Sequence, residues 1–114
     1  MYLEIIRKNN VVKIHLKTVF LNVEVARSLK QAMMKLLTED VNRIFLDFEK
    51  VKILDSISVG ILVQSQTLCQ QNDVKFTIIN VSPDIMDIIR QINLDKILDI
   101  NKYSDNFDNG DNKN

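Results

Sequence analysis

The sequence predicts an α/β domain in two layers, a mixed four- to five-stranded sheet with helices mainly on one face. Short apolar runs of strand character (residues 2–7, 11–16, 43–48 and 74–80) alternate with segments of helical periodicity over about 23–38, from 56 to about 71, and from 83 onward. The strand runs also carry one clearly apolar face each. In residues 11–16, Val12, Ile14 and Leu16 share one side while Lys13 and His15 share the other. A wet second face fits a sheet covered on one side only.

Composition bounds the rest. The chain has 114 residues, enough for one domain, and 46% of them are apolar. Fifteen basic and fifteen acidic residues cancel to a net charge of zero, and no basic stripe stands out, so direct nucleic-acid binding is not expected. The first residues, MYLEIIRKNN, lack the pattern of a secretory signal, and no apolar run approaches the ~18 residues of a membrane span. A single cysteine allows no internal disulfide, which suits the cytoplasm. Glycine occurs only at Gly60 and Gly110; asparagine at Asn9-Asn10, Asn72 and Asn93 is expected to take its place in turns.

Residues 2–7 and 11–16 flank Lys8-Asn9-Asn10 at hairpin spacing. His15 is the sole histidine and reads as an ordinary strand residue, because no spaced set of His, Cys and Glu accompanies it. Val19-Phe20-Leu21 reads as an apolar turn, and Asn22 as the N-cap of the 23–38 helix. Ala26, Leu29, Met33 and Leu36 form its buried stripe, with the methionine as core filler. In the next strand Ile44, Leu46 and Phe48 face the core. Asp47 points the other way and is expected to be a surface or edge aspartate.

The stretch from Arg43 to Gln70 organises the chain. Its strand ends in Leu46-Asp47-Phe48, and after a short link comes Asp55-Ser56-Ile57-Ser58-Val59-Gly60, opening an apolar helical run. Ser56 is an N-cap candidate at a helix end whose free N–H groups favour an anion. This stretch resembles the STAS domain of anti-sigma factor antagonists, in which an apolar-Asp-apolar strand end precedes Asp-Ser-Ser-Gly-Leu-Gly at a helix start. Asp55, Ser56 and Gly60 match and Val59 replaces Leu, while Ile57 and Ser58 stand where the family has a second hydroxyl residue and a glycine. The resemblance covers about residues 2 to 100. It implies a STAS-like fold, with Ser56 as phosphorylation site and a partner-binding surface drawn from Asp55, Ser56, Ile57, Ser58, Val59, Ile61 and Asn22. It also favours burial of the Val59 and Leu62 side of the helix, which leaves Ile57 and Ile61 partly exposed beside Ser56.

Beyond this helix, Asn72-Asp73 reads as a turn and 74–80 as a strand with Val74, Phe76 and Ile78 on one face. Ser82-Pro83-Asp84 is a helix start, Ile85, Ile88, Ile89 and Ile92 recur at helical spacing, and Asn93 ends the helix. Residues 97–100 are expected to add a short edge strand. The domain is placed at 1–103, and the polar stretch 104–114 is expected to be a disordered tail.

The resemblance implies partner switching. Unphosphorylated protein binds an anti-sigma factor that is also a serine kinase, phosphorylation of Ser56 ends that binding, and a serine phosphatase reverses it. The alternative is a phosphorylation-independent STAS interaction or scaffold subunit, for example a partner of a membrane transport ATPase. Catalysis is not expected: a hydrolase would need a base and an oxyanion hole around Ser56, and no nucleophile-elbow motif is present. No cofactor is expected either, since no glycine-rich phosphate loop occurs.

Overall fold

The computed structural model describes residues 2–101. Strands β1 (Leu3–Lys8) and β2 (Val11–Leu16) form the expected antiparallel hairpin, with Lys8 opposite Val11. Its tight connection needs positive φ, which Asn9 supplies at 58°. Arg7 ties the hairpin to the loop after the first helix, bonding the Glu39 carboxylate and, at 2.9 Å, the Asp40 carbonyl.

The chain then runs through β3 (Phe20–Leu21), α1 (Val23–Leu36), β4 (Arg43–Asp47), β5 (Ile53–Leu54), α2 (Ser56–Gln71), β6 (Lys75–Ile79) and α3 (Pro83–Gln91). A 3-10 turn at Leu94–Lys96, capped by Ile97, leads to the edge strand β7 (Ile100–Asn101), which lies later than the strand expected at 97–100 and shares only Ile100 with it. The main sheet has the order β1-β2-β4-β6-β7, antiparallel only between β1 and β2. It is therefore mixed, with helical crossovers joining its parallel members, as parallel neighbours require. The expected turn at Val19-Phe20-Leu21 contains a strand instead: β3 pairs in parallel with β5 as a separate two-stranded ribbon. Two-residue strands leave too little periodicity to read in advance.

The helices bury one face of the sheet. Val12, Ile14, Leu16, Ile44, Leu46, Phe48, Phe76 and Ile78 meet Val25, Ala26, Leu29, Met33 and Leu36 of α1 in one cluster. Each of these side chains other than Ala26 contributes about 1.5–3 kcal/mol through removal of its apolar surface from water. Of α3, Ile85 and Ile89 are buried with them and Met86 packs against the cluster, while Ile88 and the C-cap residue Ile92 stay exposed. Cys69 is fully buried, and burial pushes its thiol up to about 11. Positive φ falls on Asn9, Asp73, Asn80 and Asn93. Asn72 instead closes α2 at φ −108° and hands the left-handed position to Asp73.

The second face of the sheet is drier than its alternating pattern suggests. Phe45 and Ile79 are buried there, with Val11 packed against them and the Arg43 guanidinium 4.5 Å from the Phe45 ring centroid. Asp47 and Thr77 are each only 2% exposed. The expected tail at 104–114 lies outside the described residues.

Candidate functional site

The β3–β5 ribbon decides the geometry around Ser56. Leu21 lies opposite Leu54, so the next residues, Asn22 and Asp55, emerge side by side. Both are helix caps. The Asn22 side chain accepts from the Val25 N–H at 3.0 Å, and the Asp55 carboxylate accepts from the Ser58 N–H at 2.8 Å. Asn22 is thus the cap that the sequence indicates. The cap of α2, however, is Asp55 and not Ser56. Both residue types suit the position, and it is Asp55 that carries the extended backbone (φ −98°, ψ 169°). Ser56 is the first residue of α2 and its side chain faces solvent.

Two helix N-termini therefore converge at this end of the domain, each with partial positive charge from its unpaired N–H groups. Asp55 answers that field. The nearby Ser58 hydroxyl and, through a formed hydrogen bond, the Ser58 N–H hold its carboxyl below the ordinary value. The hydroxyl itself makes no bond of good geometry, so the N–H is the firmer of the two contacts. The Val23 N–H of α1 acts in the same direction, which shows how near the two caps lie.

The buried stripe of α2 differs from the expected one. It consists of Ser58, Ile61, Leu62, Ser65, Gln66 and Cys69, while Val59 is half-buried and Ile57 is 58% exposed. Ile61 thus belongs to the core instead of the surface beside Ser56, and Ser58 is fully buried. Sequence reasoning passed over this stripe because two of its members are serines. Ser65 satisfies its hydroxyl on the Ile61 carbonyl at 2.9 Å, but the Ser58 Oγ, with the Asp55 carboxylate nearby, makes no hydrogen bond of good geometry. Ser58→Ala should accordingly stabilise the domain by about 1 kcal/mol, because a buried hydroxyl without a bond costs more than a methyl group. Thermal unfolding of the variant against wild type measures this; a lower melting temperature would show that the hydroxyl has a partner after all.

Exposed apolar side chains occur on and before the ribbon that leads into Asp55-Ser56 and in the first turn of α2. Val19 is 54%, Phe20 42%, Ile53 54% and Ile57 58% exposed. Phe20 and Ile53 are direct neighbours across the ribbon and share one face of it. A second apolar groove, of about 390 Å³, runs between α1 and the later turns of α2, lined by Lys30, Met34, Val63, Gln64, Thr67 and Leu68.

The other polar cluster was not foreseen. Asp47 is not a surface aspartate, and His15 is not an isolated strand residue. The parallel register of β2 and β4 sets the two opposite each other, with the His15 Nδ1 2.9 Å from Asp47 Oδ2. Asp47 Oδ1 accepts from the Glu49 N–H at 2.9 Å and from the Asn80 amide at 3.0 Å, and the Lys13 ammonium lies 3.8 Å from Oδ2. Burial pushes the Asp47 carboxyl up, but the bonds from Asn80, His15 and Glu49 together outweigh it and hold the group below 3.8. His15, Asp47 and Glu49 each bring a possible ligand atom within 4.8 Å of the others. A cation there would compete with Lys13 and with the hydrogen bonds that already fill the carboxylate, so the cluster reads as a strand tie.

The sequence matches the family model for the STAS domain over residues 2–108. This chain belongs to the STAS domain family. No curated protein sequence matches it. The STAS fold is also found in solved structures similar to it. The anti-sigma factor antagonist SpoIIAA in its unphosphorylated form aligns over 98% of each chain with a TM-score of 0.78 and 15% identity. The Bacillus cell fate determinant SpoIIAA in the phosphorylated form aligns over 88% of this chain and 91% of its own, with a TM-score of 0.68 and 16% identity. An anti-sigma factor antagonist from Mycobacterium paratuberculosis aligns over 89% and 85%, with a TM-score of 0.74 and 17% identity. At these identities the likeness is one of fold. Within this STAS domain, the ribbon brings Asn22, Asp55, Ser56 and Ile57 together at one end, Val59 stands half-buried behind them, and Ser58 and Ile61 turn inward. Among the described residues no helix is long and apolar enough to cross a membrane.

Proposed function

We propose that this protein is an anti-sigma factor antagonist that binds an anti-sigma factor serine kinase through the Ser56 end of the domain and is switched off by phosphorylation of Ser56, a serine phosphatase restoring it. The observation that carries this reading is the setting of Ser56: a solvent-facing hydroxyl at the first position of a helix of 16 residues, flanked by exposed Ile57 and by Phe20 and Ile53 on the adjoining ribbon. An accessible hydroxyl suits a kinase. An apolar patch beside it suits a docking partner. The fold is shared with a relative solved in both unphosphorylated and phosphorylated forms.

The physics of such a switch is simple. A phosphoserine adds about −1.5 to −2 charges at neutral pH. The two converging helix N-termini offset part of that charge within the domain. In a complex the same charge meets Asp55 and an apolar contact area, where it is repelled and poorly solvated. The binding surface thereby reduces to Asn22, Asp55, Ser56 and Ile57, with Val59 at its margin, since Ser58 and Ile61 cannot present their side chains without unpacking the core. Incubation with the cognate kinase and ATP, followed by peptide mass spectrometry, should place one phosphate on Ser56 and none on Ser58. Phosphate on Ser58, or none at all, would favour a STAS interaction or scaffold subunit that works without a kinase cycle.

A further inference from the structure

Among the described residues the outer edge of the main sheet is β1, which has no bulge or proline and is guarded by the charges of Glu4, Arg7 and Lys8 alone. Such strands are normally short, charged, bulged, broken by proline or covered, because their unpaired main-chain groups invite another strand. Here β1 is a regular run of six residues, and it exposes Tyr2 at 43%, Ile5 at 46% and Ile6 at 40%. The Tyr2 carbonyl accepts from the Lys17 N–H toward β2. Alternation along an antiparallel ladder then turns the N–H and C=O groups of Leu3, Ile5 and Arg7 outward.

We infer that β1 pairs antiparallel with β1 of a second copy of this chain, Ile6 opposite Ile6, so that the two main sheets join into one across a twofold axis. Charge complementarity selects both the occupant and the register. Glu4, Ile6 and Lys8 lie on the face of the sheet away from the helices, because they stand opposite His15, Lys13 and Val11. Read from the other copy, the row Glu4-Ile6-Lys8 becomes Lys8-Ile6-Glu4. Each Glu4 then faces the partner's Lys8, and the two Ile6 side chains meet between these pairs. Ile5 and Arg7 exchange main-chain hydrogen bonds with the partner's Arg7 and the partner's Ile5, using the outward groups.

The other antiparallel registers that keep side chains on matching faces are poorer. Sliding by one pair of residues sets Glu4 against the partner's Ile6; sliding further sets Glu4 against the partner's Glu4; sliding the other way sets Arg7 against the partner's Arg7. Like charges opposite one another destabilise a ladder, while opposite charges and apolar pairs support it. The contact is isologous, so it closes at two copies and does not propagate into a fibre. The edge offers a small contact area, in the range of transient association. The pairing does not depend on Ser56 or its modification.

Sedimentation equilibrium over a wide concentration range tests this with four proteins: wild type, Glu4→Lys, Lys8→Glu and the double exchange. Wild type should show a reversible monomer–dimer equilibrium. Each single exchange turns both cross-strand charge contacts repulsive and should weaken dimerisation by about tenfold or more. The double exchange should restore it, and so should an equimolar mixture of the two single variants, which are complementary to each other and not to themselves. Hydrogen exchange on wild type requires no variant: the Ile5 and Arg7 amides should gain protection as concentration rises. A wild type that stays monomeric throughout, or self-association that the single exchanges leave unchanged, would overturn the pairing.

Discussion

Asp47→Ala should lower the stability of the domain by about 3–5 kcal/mol, the range found when one partner of a buried charged network is removed. Its carboxylate is 2% exposed and holds His15, Asn80 and the Glu49 N–H, with Lys13 nearby. Those donors come from β2, from the residue that follows β6, and from the turn after β4, so one side chain ties three neighbouring strands at the same end of the sheet. Truncation leaves the donors without an acceptor in a place from which water is largely excluded. Asp47→Asn keeps the shape and one acceptor but loses the charge, and should cost less, about 1–3 kcal/mol. The pH dependence separates charge from shape. The folded-state carboxyl titrates below 3.8, its ordinary value, so its contribution is fully present above that value and is lost as pH falls through the lower folded-state one. Urea unfolding of wild type and Asp47→Asn should show a gap that is constant near neutrality and narrows in acid below about pH 4. A gap that stays constant into acid would mean that the Asp47 charge contributes nothing to the fold.

That tie illustrates what a sequence of this kind conceals. His15 and Asp47 each read as a polar residue on the off-core side of a strand. The parity was available, but the register between parallel strands is set by the crossover and the packing of α1, and nothing local in either strand encodes it. By contrast, the α1 stripe, its Asn22 cap and the Ser82-Pro83 start of α3 were legible because each is a local rule: period, cap and proline position. The Asp55-Ser56 pair lies between these cases. Two good capping residues in succession mark the helix start to within one position, and the extended backbone of Asp55, pinned by the Asp55 N–H to the Leu21 carbonyl at 3.4 Å, selects between them. The buried Ser58 and Ser65 were illegible for a different reason. Small hydroxyl residues fit against a sheet by size, and a stripe defined by hydrophobicity does not register them.

Placing Asp55 at the cap sharpens what substitution of Ser56 should do. Because Ser56 holds no cap hydrogen bond, Ser56→Ala removes the proposed phosphate acceptor without weakening the start of α2, and its stability should stay within about 0.5 kcal/mol of wild type. Ser56→Asp adds a negative charge in the first turn of a helix that has no acidic residue there. The helix field favours that charge, and the neighbouring Asp55 carboxylate opposes it, so the net change in stability should be below about 1 kcal/mol. Binding is another matter. At the interface proposed above, an added carboxylate would be enclosed beside Ile57, Phe20 and Ile53 with no cation in the first turn of α2 to meet it. A charge left unpaired in an interface costs about 2–5 kcal/mol, so affinity for the proposed anti-sigma factor kinase should fall by about 30-fold or more. Ser56→Ala should bind as wild type does and should no longer respond to ATP. Titration calorimetry with the three proteins, each checked for its fold by circular dichroism, measures the difference. Equal affinity of Ser56→Asp and wild type would rule out an electrostatic switch at this position, because both variants leave the ribbon and both helix caps in place, and nothing but the charge would then differ between them.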